Sequence, residues 1–318
     1  MRVMLAPMEG VTDHHMRDIL TRLGGYDRCV TEFLRVTDHL YPDRVFYRSC
    51  PELKQGGRTP AGTPVYLQLL GSNPAALAEN AKRGAQLGTP GIDLNFGCPA
   101  KTVNRHGGGS SLLRSPPSVE EIVRAVRDAV PSTIPVTAKI RLGFDHTDYL
   151  LDVVCRIENA GATELCVHAR TRDDGYKPPA YWHKVQKVRD VVSLPVIVNG
   201  EIWNIENASQ ARLDSQCFDI MLGRGALSRP SLAAEIQAAE QNTPLPELPW
   251  SHVLGLLESL LATASELPVK YAGNRTKQWL TYLRREYQLA EQLFNDVKRL
   301  REIEDIAVAI RSHRAELV

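Results

Sequence analysis

The sequence predicts a (β/α)8 TIM barrel of the α/β class over residues 1–240, followed by a small all-helical domain over 241–318. Three observations predict it. Eight short apolar runs recur up to about residue 225, separated by helical patterns. About 240 residues is the size such a barrel needs. A proline-rich stretch then breaks the pattern, and only helical periodicity follows it.

The apolar runs are Val3–Ala6, Cys29–Phe33, Val65–Leu70, Gly91–Asn95, Val136–Leu142, Glu164–Ala169, Val196–Asn199 and Asp219–Gly223. Most are continuously apolar, as strands covered on both faces are. Helical patterns lie between them at Pro74–Leu87, Ser118–Val130, Tyr149–Ala160 and Glu206–Leu213. Asn73-Pro74 and Ser118 suit helix starts, and Gly88 and Gly161 suit helix ends. An open doubly wound sheet could use the same elements and is the alternative architecture. Gln241–Pro249 holds three prolines and reads as a linker. The tail patterns are Val253–Leu267, Asn274–Tyr287, Ala290–Leu300 and Ile303–Ala315.

Composition excludes several classes. The 318 residues are 43% apolar and 24% charged, with net charge +1, as in a globular protein. No apolar run reaches the roughly 18 residues of a membrane span, and the opening Met1-Arg2-Val3 enters a strand pattern without a signal peptide. The six cysteines are scattered with no C-x-x-C pair, which argues against a disulfide framework and against a zinc or other metal site. A reduced, cytoplasmic monomer is expected. Residues 270–285 carry Lys270, Arg275, Lys277, Arg284 and Arg285 with no acid, interleaved with Tyr271, Trp279 and Tyr282. Such a run is either a solvated helix face or an RNA-contact surface; Trp279 itself reads as core.

In a barrel of this kind the chemistry sits at the carboxyl ends of the strands. Those ends carry Pro7-Met8-Glu9-Gly10, then Glu32, Phe33 and Arg35, Gln68, Asn95-Phe96-Gly97-Cys98-Pro99, Lys139 and Arg141, His168-Ala169-Arg170, Asn199-Gly200-Glu201 and Gly223-Arg224-Gly225. The last two turns expose backbone N–H groups and, with Arg224, suit a phosphate; tight turns that merely need glycine are the alternative. Lys139 inside an apolar strand needs an anionic or electron-rich partner, and the edge of a reduced flavin is one. Gln68 can read an amide-like edge of the same ring. His168 could orient flavin or substrate. Cys98, between a glycine and a proline just past a strand, has a thiol that is mostly protonated at neutral pH and can act as a general acid. The loop after it, 101–109, is basic and glycine-rich, suited to a phosphate-bearing substrate.

The segment Asp93-Leu-Asn95-Phe-Gly97-Cys98-Pro99, with Val103 and Gly109-Ser110, resembles the signature around the catalytic cysteine of the tRNA-dihydrouridine synthase family. The opening Ala6-Pro7-Met8-Glu9-Gly10 and both glycine turns match as well, and the likeness extends through the helical tail to the bacterial C-type enzymes, which act on tRNA position 16. The resemblance implies a reaction in which NADPH, or NADH, reduces FMN, the flavin passes hydride to C6 of a tRNA uracil, and Cys98 protonates C5. It implies FMN contacts from Pro7, Met8, Glu9, Gln68, Lys139, His168, Asn199, Gly200, Glu201, Gly223 and Arg224. It implies tRNA contacts from Arg35, Asn95, Tyr176, Arg275, Lys277, Tyr282 and Lys298. Lys298 stands where the C-type pattern has arginine; it keeps the charge but lacks the planar fork. A flavin barrel acting on a free pyrimidine, like a dihydroorotate dehydrogenase, would share the strand ends without needing the tail. A non-catalytic RNA-binding barrel would tolerate loss of Cys98 or Lys139, and both are present.

Overall fold

The computed structural model describes residues 1–244, 248–263 and 273–317. Nine strand segments form one parallel sheet: β1 (Val3–Leu5), β2 (Arg28–Val30), β3 (Leu34–Arg35), β4 (Val65–Leu70), β5 (Ile92–Phe96), β6 (Val136–Arg141), β7 (Glu164–His168), β8 (Val196–Asn199) and β9 (Asp219–Leu222). Their order is β2-β1-β9-β8-β7-β6-β5-β4-β3, and β2 also pairs with β4, which closes the sheet. Since β2 and β3 both lie beside β4, they are two halves of one barrel strand, and the barrel has eight positions. The open doubly wound alternative has no such closure and is excluded.

The apolar run Cys29–Phe33 does not form one continuous strand. The hydroxyl of Thr31 accepts the Gln68 N–H (2.9 Å), so a side-chain oxygen takes a donor of the ladder. Ladder pairing resumes only at Leu34. Glu32 and Phe33, in the gap, line the cavity described below.

The helices are α1 (His14–Arg22), α2 (Asp43–Ser49), α3 (Pro74–Gln86), α4 (Lys101–Arg105), α5 (Pro116–Ala129), α6 (Leu150–Asn159), α7 (Trp182–Arg189), α8 (Ile205–Ser215), α9 (Arg224–Ser228), α10 (Leu232–Glu240), α11 (Trp250–Ala262), α12 (Asn274–Leu283), α13 (Gln288–Val297) and α14 (Ile303–Ala315). α5 shows why they pack: Val119, Ile122, Val123 and Val126 recur at helical spacing and are buried toward the sheet. Truncating Ile122 to alanine costs about 2–5 kcal/mol. α3 starts at Asn73, whose side chain accepts from Ala76 N, and α8 at Asn204, which accepts from Asn207 N.

Inside the barrel, Met4, Val30, Cys166, Ile197 and Met221 form an apolar plug. Below it, at the amino ends of the strands, Arg2, Arg28, Glu164 and Asp219 interlock. The tail helices share one hydrophobic cluster with the barrel. Trp279 is buried in it, and its indole N–H donates to Leu227 O at 3.0 Å, which places this residue in the core as its sequence context predicts. Lys270, Tyr271 and the end of the Val253–Leu267 pattern lie outside the described residues. No described helix is long and apolar enough to cross a membrane.

Candidate active site

A cavity of about 630 Å³ opens at the carboxyl ends of the strands. Its wall includes Pro7, Met8, Glu9, Gln68, Asn95, Cys98, Lys139, His168, Tyr176, Asn199, Gly200, Glu201, Gly223, Arg224 and Tyr282. Such a volume suits a cofactor-sized ligand. Residues from every barrel strand meet here because each strand ends at the same rim.

Cys98 follows β5 directly. Its backbone N–H and that of Gly97 both donate to Asn95 Oδ1 at 2.9 Å. Its carbonyl accepts from Ser110 N, Ser110 Oγ and Asn104 Nδ2. Gly109 has φ +59°, and a Cβ there would meet Cys98 O at 2.8 Å, so the loop can fold back on the cysteine only because this residue is glycine. The thiol packs with Leu70, Val103 and Phe33. Burial pushes its pKa up, and the Glu9 carboxylate adds to that. The sulfur therefore keeps its proton at neutral pH and can give it away.

Asn95 is one link in a buried chain. Thr137 Oγ1 donates to Asp93 Oδ1 (2.5 Å), Gln68 Nε2 donates to Asp93 Oδ2 (2.7 Å), and Asn95 Nδ2 donates to Gln68 Oε1 (2.8 Å). Asp93 thereby fixes which end of the Gln68 amide is the donor. Gln68 keeps one N–H and one lone pair for the cavity. The side-chain oxygen of Asn95 is spent on the cysteine loop, so this residue sets the position of Cys98.

The opposite wall is cationic. The half-buried Lys139 ammonium donates to Asn199 Oδ1 at 3.0 Å, and Asn199 Nδ2 donates in turn to Met221 O. Desolvation lowers the Lys139 pKa. His168 is buried, and desolvation with the nearby Arg141 and Lys139 charges holds its pKa well below the usual imidazole range, so the ring is neutral. Arg141 donates to Gly97 O (2.9 Å), Thr171 O (2.9 Å) and Gly175 O (3.0 Å), clamping two loops.

The turns after β8 and β9 approach closely. Gly200 has φ +111°, and a Cβ there would meet His168 Cδ2 at 2.7 Å. A Cβ on Gly225 would meet Ile202 O at 2.0 Å. Glu201 adopts φ +61°, which costs a non-glycine residue about 1–2 kcal/mol. Arg170 and the Trp203 Nε1–H (2.7 Å) both donate to its carboxylate and hold it there. Arg224 opens α9, where the first N–H groups have no partner within the helix.

Not every residue singled out from sequence joins this cavity. Arg35 is exposed and lines a neighbouring cavity of about 450 Å³ that shares Glu9, Glu32 and Phe33 with the first. Tyr176 does line the cavity, but at its exposed mouth. Arg275 pairs with Asp13 (2.8 Å) and donates to the Gly10 and Val11 carbonyls, so it ties the tail to the loop after β1. Lys277 donates to Leu300 O, and Lys298 is exposed, donating to Asn295 Oδ1 at 2.7 Å. The basic run is thus neither wholly solvated nor wholly free. Arg141 and Arg170 stand among the strand-end residues, but their clamping roles depend on contacts that only the folded chain brings together. Trp203 lines the cavity with no sequence signal beyond following Glu201 by two residues.

Comparisons with known proteins bear on the fold and the family. A 2-naphthoyl-CoA reductase complex superposes with a TM-score of 0.58 at 12% identity over 76% of this chain and 50% of the other, which speaks to the fold alone. A tRNA-dihydrouridine(16) synthase of Pseudomonas putida is 50% identical over 94% of this chain and 93% of the relative. One of Shewanella oneidensis is 49% identical over 96% of each, and one of Escherichia coli O157:H7 is 45% identical over 98% of each. The family model "Dihydrouridine synthase (Dus)" matches residues 4–313. With barrel, cysteine loop and tail all inside that match, the chain belongs to the dihydrouridine synthase family.

Proposed function

We propose that this protein reduces uridine to 5,6-dihydrouridine in tRNA, in the D-loop at position 16, with FMN on the cationic wall and NADPH as the source of electrons. The observation that carries the reading is the protonated Cys98 thiol facing a cation-lined cavity in a chain of this family. The names of the relatives, which align over nearly the whole chain, support that position.

The residues present fit a flavin phosphate. Lys139 has one hydrogen bond and no acidic partner among the described residues. Arg170 Nη1 is buried without a partner. Both suit an electron-rich ligand. Lys139 and the free half of the Gln68 amide would hold the polar edge of the ring, with Pro7, Met8 and neutral His168 around it. Arg224 and the N–H groups near Gly200, Glu201 and Gly223 would hold the phosphate. When bound, FMN supplies the hydride that the uracil ring receives. Cys98 then gives its proton to C5 of the uracil and is left as thiolate; Asn95 keeps the loop in place for that transfer. Asn199 and Glu201 orient Lys139 and Arg170.

The same proposal divides the chain into a catalytic barrel (1–240) and a tRNA-binding helical domain (241–318). A uracil must leave its stack to reach the cavity, at about a few kcal/mol, and contacts along the tRNA offset that. Exposed Arg35, Tyr176 and Lys298 suit this role, with Tyr282 between tail and cavity. Arg275 and Lys277 would serve it by holding the tail. The test is purified protein with NADPH and unmodified tRNA, followed by mapping of dihydrouridine. Product at position 16 is expected. Product elsewhere would overturn the position, turnover of free pyrimidine alone the substrate, and a colourless protein inert to NADPH the flavin.

A further inference from the structure

Arginine and aromatic side chains alternate across the cavity rim. Arg141 Cζ lies 5.2 Å from the centroid of the Tyr176 ring, and Arg224 Cζ lies 5.1 Å from that ring. Arg224 is also 5.1 Å from the Trp203 ring, over which Arg285 sits at 3.8 Å. All are within the reach of a cation–π contact. The column begins at the arginine that clamps the cysteine loop and ends on the tail, just past α12. The Trp203 indole is pinned at its edge by Glu201, and Trp279 of α12 bonds Leu227 inside α9, the helix that Arg224 opens. The tail therefore touches the Arg224 turn through two separate contacts. Arg285 has no ion-pair partner among the described residues and is exposed, so its packing on Trp203 is its main engagement.

We propose that Trp203 and Arg285 are positioning residues through which the tail holds Arg224 at the phosphate end of the cavity, so that the tail completes the cofactor site before any tRNA arrives. The idea rests on the reading that Arg224 faces a flavin phosphate. Trp203 limits where the Arg224 guanidinium can rest, and Arg285 keeps the indole over it. The Arg285 charge bears on Arg224, whose nearest acid, Glu201, stands 3.9 Å away, and an anion bound at Arg224 would offset that repulsion.

The experiment compares FMN with riboflavin, which lacks the phosphate, by fluorescence titration of the flavin-free full chain without tRNA. Arg285→Ala is expected to weaken FMN binding about threefold to tenfold, as loss of a cation–π contact would, while riboflavin binding stays unchanged. Trp203→Leu should do the same more strongly. Arg285→Lys should fall between, because it keeps charge without the planar stack. Arg311→Ala, whose partner is Glu304 on α14, should change neither. Equal weakening of FMN and riboflavin would reduce the pair to general support and overturn the proposal, as would wild-type FMN affinity in both Arg285→Ala and Trp203→Leu. Absence of flavin binding in the wild type would instead overturn the functional reading beneath it.

Discussion

At the amino ends of the strands, each cation has its acid. Arg2 reaches Asp219 at 2.6 Å and Glu164 at 2.7 Å, and Arg28 pairs with Glu164 while resting 4.4 Å from the Tyr66 ring centroid. At the carboxyl ends of the same strands, Lys139 and Arg141 have no acid within ion-pair distance among the described residues, and Arg224 has only Glu201 at 3.9 Å. Two further acids of that end, Glu9 and Glu32, stand where the two cavities meet; desolvation raises both pKa values, and the Glu32 carboxylate adds to the rise at Glu9. One end of the barrel thus satisfies its charges internally and contributes to stability. The other leaves a cationic wall facing a cavity, an arrangement that makes sense when a ligand supplies the missing negative charge.

The sharpest way to separate the two ends is to remove one group from each. Cys98→Ala at the open end is expected to keep the fold and the flavin half-reaction with NADPH, while oxidation of reduced flavin by tRNA slows by about 10²–10⁴-fold, the usual worth of a general acid. Single-turnover kinetics with prereduced enzyme read this, and wild-type rates would remove the thiol from the mechanism. Glu164→Ala at the closed end should do the converse. It leaves buried Arg28 without its acid and should cost about 3–5 kcal/mol of stability, seen by denaturant titration, with flavin affinity of the folded protein unchanged. A loss below about 1 kcal/mol, the worth of a surface pair, would show that the closed end is not a stability device.

Arg224→Ala should weaken FMN binding by about 1.5–3 kcal/mol, the value of a charge-assisted hydrogen bond. Unchanged occupancy would place the phosphate elsewhere. The smallest effect concerns Glu9. Desolvation and the neighbouring Glu32 carboxylate push its pKa up to about 7. A raised carboxyl binds its proton more tightly in the folded state, so its contribution to stability is lost as pH rises from the ordinary carboxylate range through about 7. Glu9→Gln should therefore make Tm fall less steeply between pH 5 and 8. An identical slope in the variant would contradict the raised Glu9 pKa.

The barrel was legible because its strands are buried on both faces and so read as continuous apolar runs, Val65–Leu70 and Val196–Asn199 to the residue. α1 was not, since its buried face includes Arg17, a residue that counts as polar in any periodicity. Arg17 is tolerated inside because Glu52, 35 positions later, receives it in two bonds of 2.8 Å. α10 was also hidden, as only Arg229, Pro230 and Ser231 separate it from the short α9. In the site, Cys98, Lys139 and the glycine turns stood out because each is chemically out of place in a strand end. The Arg141 clamp and the Trp203–Arg285 contact did not, because their partners are brought together only by closure of the barrel and docking of the tail. The basic run showed its charge in the sequence, whereas the diversion of Arg275 to Asp13 and two carbonyls depends on where α12 lands.

The contact between Gly109 and the Cys98 carbonyl bears on heritable variation. Arg105 and His106, a few positions earlier, are exposed, and substitutions there leave the loop's path alone. Any side chain at 109 meets the Cys98 carbonyl at 2.8 Å and Val103 Cγ1 at 3.0 Å, so it must shift the cysteine or its neighbour, at a residue that itself stands outside the strands. An allele changed at this codon would lose some stability to the strained backbone, but its first effect would fall on the loop that carries the cysteine. Surveys that score abundance alone would understate it, and a direct count of the modified nucleotide would reveal the lesion.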